Sequence, residues 1–68
     1  MEDIKIKFGQ RVKDLRLSKG YSQEQLANLA SINKSYISNI ETGKTEVSLE
    51  IINKLAMAFE IEIDQLFE

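Results

Sequence analysis

Sixty-eight residues with nine Lys/Arg against eleven Asp/Glu, a net charge of −2 and 43% hydrophobic content describe one small domain, residues 1–68, too apolar to be disordered. The absence of Cys, His, Pro and Trp excludes a disulfide framework, the usual zinc ligands and any Ser–His or Cys–His nucleophile, so neither an enzyme nor a metal or other cofactor is expected. The apolar runs are too short to cross a bilayer and the N-terminus lacks a signal-peptide core, so the expectation is a cytoplasmic protein with no membrane partner.

The charge is unevenly placed. Residues 1–44 hold eight Lys/Arg against five Asp/Glu, whereas residues 45–68 hold Lys54 against six acids. The first part is therefore +3 and the second −5. A polyanion would meet the first part, with the acidic part turned away.

Along residues 4–19, Ile4, Phe8, Val12 and Leu15 recur at spacings of four, four and three, one face of a first helix. Gly9 within that pattern costs about 1 kcal/mol relative to Ala, which suggests close packing there. Gly20 is the C-terminal stop. Ser22 followed by Gln25 forms a capping box for a second helix, from about Gln23 to Leu29. Ala30-Ser31-Ile32 is a turn, and Asn33 caps a third helix from Lys34 to about Thr42, stopped by Gly43.

Residues 23–42 thus read as two short helices joined tightly. Leu26, Ala30, Ile37 and Ile40 are the apolar contacts, Ala27 is small at the crossing, and Ile32 plugs the angle between the helices. Lys34, Ser35, Tyr36 and Asn39 lie on or beside the outward face of the third helix. This is the pattern of a helix-turn-helix, whose second helix enters the DNA major groove. Ser48 caps a fourth helix with an apolar face of Leu49, Ile52, Leu55, Ala56 and Phe59, leaving Ile51 and Met57 off the stripe. A short fifth helix runs from about Ile63 to Phe67, with no strand pattern anywhere.

Three phrases, FGQRVKDLRLSKGYSQEQLA, INKSYISNIETGK and SLEIINKLAMAFEIEIDQLF, together resemble the phage repressor/Cro-type (XRE-like) helix-turn-helix family from Lys7 onward. KSYISNIE followed by VSLE, without a proline, is similar to the controller proteins of restriction–modification systems. The resemblance implies a compact all-α, five-helix, lambda-repressor-like domain with its helix-turn-helix at about residues 22–42. It implies a homodimer on a two-fold symmetric stretch of double-stranded DNA, acting in transcription regulation, with no small-molecule ligand. It places Lys34, Ser35 and Asn39 at DNA bases, Tyr36 at the DNA backbone or a thymine methyl, and Gln23, Thr42 and Lys44, with the following loop at Thr45, at phosphates; Ser22, at a helix start whose amides seat an anion, and Asn33 are further phosphate candidates. It matches Arg16 and Glu41 to a structural ion pair.

A C-terminal dimerisation segment, about residues 60–68, would present Ile61, Ile63 and Phe67 to the partner, with Leu66 turned inward. Three residues depart from the family pattern: Ser31 and Glu60 stand where Gly is usual, and Val47 where Pro is common. The alternative reading is an antitoxin or other interaction module that neutralises a partner protein through the acidic half.

Overall fold

The structure, a computed structural model, describes residues 3–68; Met1 and Glu2, at the start of the expected domain, lie outside the described residues. Four α-helices follow in order: α1 (Ile4–Ser18), α2 (Gln23–Ala30), α3 (Lys34–Glu41) and α4 (Leu49–Phe59). A 3₁₀ helix, Ile63–Phe67, ends the chain, and no strand occurs among the described residues. The expected fifth α-helix is therefore corrected to a 3₁₀ helix. Its first bond runs from Gln65 N–H to the Glu62 carbonyl at 3.0 Å, and five residues are too few for α-helical cooperativity to favour the wider turn.

Each α-helix starts on a side-chain cap. Asp3, Ser22, Asn33 and Ser48 accept the N–H of Lys5, Gln25, Ser35 and Ile51, respectively. The ends are equally uniform. The N–H groups of Tyr21, Ile32, Lys44 and Ile61 reach back to the carbonyls of Arg16, Ala27, Asn39 and Ala56 at 2.9–3.0 Å. This six-to-one bond, with a left-handed residue inside it, is the Schellman stop. The left-handed residues are Gly20 and Gly43, but also Ser31 (φ 56°) and Glu60 (φ 59°). The two departures from the family pattern thus leave the turns intact and carry positive φ on an L side chain, at about 1–2 kcal/mol each.

Val12, Leu26, Ile37, Ile40, Leu55, Phe59 and Leu66 are fully buried and draw all four helices and the tail around one core. Two expected core positions are corrected: Ile4 and Leu49 are 65% and 85% exposed. Both lie in the first turn of their helix, where side chains lean towards the N-terminus and past the edge of the core. Ile51, off the expected stripe, packs half-buried against the core instead.

Gly9 decides how closely α1 meets α3. A Cβ there would fall inside contact distance of the Ile40 carbonyl oxygen and 3.0 Å from the Glu41 carbonyl oxygen. The two backbones touch, so this position admits only Gly at the observed separation. Among the described residues, no helix is long and apolar enough to cross a membrane.

Candidate nucleic-acid interface

The third helix shows how a short amphipathic element becomes a reading head. Ile37 and Ile40 enter the core, and Glu41 is buried beside them. Ser35 and Asn39, one turn apart, are exposed on the opposite side, and Lys34 is exposed at the first residue of the helix. Eight residues span about 12 Å, close to the width of the B-DNA major groove. Ser38, which the sequence reading did not assign to DNA, is half-buried at the edge of this face. Tyr36 differs from the other three candidate base contacts. It is half-buried against the core, and its hydroxyl donates to the Glu46 carbonyl at 3.0 Å. That bond ties the start of α3 to the α3–α4 loop, and nothing in local sequence spacing signals it.

A buried charge network fixes the angle of α3. Arg16 Nε donates to Glu41 Oε2 at 2.7 Å and its Nη2 to Oε1 at 3.1 Å, a bidentate pair. Arg16 Nη1 donates to the Tyr21 carbonyl at 2.8 Å, and Gln23 Nε2 to Glu41 Oε1 at 3.0 Å. Arg16 and Glu41 retain only 9% and 8% of their surface. Their desolvation is offset only because the network is complete; among the described residues no buried side-chain nitrogen or oxygen lacks a partner. One carboxylate thereby joins α1, the start of α2 and the end of α3.

The candidate phosphate contacts frame the reading head. Ser22 accepts the Gln25 N–H at 3.0 Å while Gln25 accepts the Ser22 N–H at 2.7 Å, completing the expected box. The first amides of α2 remain free of intrahelical partners, as at any helix start, and face the side where an anion is stabilised. Gln23 is half-buried, its amide nitrogen engaged by Glu41. Asn33 is exposed and uses its side-chain oxygen as the α3 cap. The Thr42 hydroxyl donates to the Ser38 carbonyl at 3.0 Å, leaving its oxygen able to accept but not its proton free to give. Lys44 is exposed and Thr45 half-buried, with the Thr45 hydroxyl turned onto the Glu46 carbonyl. Lys34 and Lys44 thus stand at opposite ends of α3, and the one acid on α3, Glu41, is internally paired.

The tail divides differently from its sequence pattern. Leu66 is fully buried, and Ile63 and Phe67 are 47% and 50% exposed. Ile61 instead closes the Schellman stop of α4 and packs half-buried on the core. Phe67 meets Phe8 with ring centroids 5.2 Å apart. Leu49 and Met57, on α4, are 85% and 70% exposed; Met57 lay off the expected stripe, but Leu49 was missed because its spacing matches the core period.

A helix-turn-helix family profile matches residues 12–66. The control protein C.MunI of Mycoplasma sp is 41% identical over 98% of this chain and 92% of its own length. The crystal structure of the restriction–modification controller protein C.AhdI from Aeromonas hydrophila superposes with a TM-score of 0.89 at 50% identity, covering 91% of this chain and 94% of that one. SinR, the master regulator for biofilm formation solved in complex with DNA, superposes with a TM-score of 0.82 at 35% identity over 90% of this chain and 98% of that one. With the profile spanning most of the chain and the geometry of α2 and α3 as described, the chain belongs to the helix-turn-helix family of transcriptional regulators.

Proposed function

We propose that the protein is a sequence-specific DNA-binding regulator of transcription that acts as a homodimer, in a lambda-repressor-like arrangement, on a two-fold symmetric operator. The observation that carries this reading is the exposed Lys34–Ser35–Asn39 face of α3, held at a fixed angle by the Arg16–Glu41–Gln23 network. Lys34 donates to guanine O6 and N7, and Asn39 pairs with adenine; Ser35 contacts either. Tyr36, drawn towards the α3–α4 loop by the Glu46 carbonyl, lies beside these base-reading positions rather than among them. Ser22, Gln23, Asn33 and Lys44, with the Gln23 and Glu24 amides at the start of α2, hold phosphates on both sides, and Thr42 and Thr45 join them by turning their hydroxyl protons from the Ser38 and Glu46 carbonyls to the phosphate.

Two copies place their recognition helices about 34 Å apart, one DNA turn. Ile63 and Phe67 in the segment 60–68 supply exposed apolar surface for the partner, with Leu49 and Met57 exposed on α4. Ile61 contributes mainly to the monomer core. The similarity to control proteins of restriction–modification systems supports such an operon as the regulated target.

The test is titration of labelled duplexes, selected by the protein from random-sequence DNA, at several salt concentrations. Selected duplexes should carry inverted half-sites, and log K should fall linearly with log salt. Absence of symmetric sequences, or affinity independent of salt, refutes the reading.

A further inference from the structure

We infer that Arg11 is a positioning residue that sets, from α1, the orientation of the C-terminal 3₁₀ helix and thereby the spacing of the two recognition helices. This rests on the homodimer reading above. Arg11 Nε and Nη2 both donate to the Gln65 carbonyl, at 3.0 and 2.8 Å, across 54 residues of sequence. Its Nη2 lies 3.6 Å from Glu68. A five-residue 3₁₀ helix has little rigidity of its own. Leu66, fully buried, pins it at one point, which alone does not set its orientation. The Arg11 fork on Gln65 and the Phe8–Phe67 contact are the second and third points, and three points fix an orientation.

Both added points come from α1, the helix that also abuts α3 at Gly9 and clamps it through Arg16. One 15-residue helix therefore references the tail, with its exposed Ile63 and Phe67, to the reading head. α4 also packs on the tail, which it enters through the left-handed Glu60 and the short link at Ile61 and Glu62, but among the described residues the directed side-chain hydrogen bonds from another helix to the tail come from Arg11. A guanidinium suits the role because its planar fork makes two directed bonds to one carbonyl, which an ammonium cannot reproduce.

The experiment compares wild type with Arg11→Met, Arg11→Lys and Glu68→Gln. Dimerisation is measured by sedimentation, and affinity on duplexes selected from random DNA, presented as one half-site or as two half-sites at a series of separations. Circular dichroism melting checks folding, and Arg11→Lys carries the test if Arg11→Met does not fold. Both Arg11 variants should dimerise about tenfold more weakly, from the loss of hydrogen bonds to a charged group. They should also lose the sharp optimum in half-site separation and keep single-half-site affinity within about twofold. Glu68→Gln should behave as wild type, since its long, exposed ion pair contributes little. Unchanged dimerisation and spacing optimum in both Arg11 variants, or equal losses on single and paired half-sites, overturns the inference alone. A wild type that stays monomeric on paired half-sites refutes the homodimer reading and the inference with it.

Discussion

Replacing Gly9 with Ala sets local helix propensity against tertiary contact, and the two predict opposite signs. On an exposed helix the change would stabilise by about 1 kcal/mol, because Gly is the poorer helix former. Here the new methyl would meet the backbone of α3, at the Ile40 carbonyl and 3.0 Å from the Glu41 carbonyl oxygen. Comfortable van der Waals separation is roughly 3.5 Å or more, and neither partner is a flexible side chain that can swing aside. Overpacking of this kind costs about 1–3 kcal/mol and sometimes more. The backbone origin of the clash puts Gly9→Ala at or above the upper end, so a net loss of about 2 kcal/mol survives the propensity gain. For a domain of this size that lowers the melting temperature by roughly 8–16 °C. Because the displaced element is the end of the reading head, affinity for a selected duplex should fall more than affinity for random duplex. Thermal melting followed by circular dichroism, with parallel titrations, measures both. A melting temperature at or above that of wild type refutes the claim that α1 and α3 are in backbone contact at Gly9.

Three further changes probe the same framework. Arg16→Met strands the buried Glu41 carboxylate with Gln23 alone and should cost about 3–5 kcal/mol in urea unfolding, whereas Arg16→Met combined with Glu41→Leu should recover much of it; equal losses in both would show the pair is not electrostatically coupled. Ser31→Gly and Glu60→Gly each relieve a left-handed L residue without touching a core contact, so each should raise stability by up to about 1 kcal/mol, additively across the two distant turns, and a loss at either would show that its side chain supports the turn. Lys34→Ala and Asn39→Ala should relax base preference at one operator position each, at about 1–3 kcal/mol in competition binding, while Lys44→Ala should weaken selected and random duplexes alike and lower the salt slope by about one; a sequence-dependent loss for Lys44→Ala would reassign it.

Much of this protein is written locally. The caps Ser22, Asn33 and Ser48 and the stop at Gly20 are short-range chemistry, each satisfied within five residues, and a sequence reader can place them without knowing the fold. The reading head follows from the same level: Ile37 and Ile40 choose the inner side of α3, which leaves Lys34, Ser35 and Asn39 outside. The Arg16–Glu41 pair spans 25 residues and was legible only through its resemblance to a family pattern, since no spacing rule connects the two.

Other features depend on where helices end up relative to one another. Leu49 has the right period for the core yet projects beyond it, because the period gives a direction around the helix and not the limit of the neighbouring surface. Tyr36 is drawn off the reading face by the Glu46 carbonyl, and Ile61 is drawn off the tail surface by the stop of α4. The tail becomes 3₁₀ because tertiary anchors, the Leu66 side chain and the Arg11 fork, hold five residues that could not sustain a helix alone. Sequence by itself determined the four α-helices, the caps of three of them and most of their inward positions, because those depend on contacts within a few residues. Only the tertiary structure decided which exposed hydrophobes remain unpartnered and how the tail is referenced to α3, because those depend on backbone approach at Gly9 and on bonds between residues far apart in the chain.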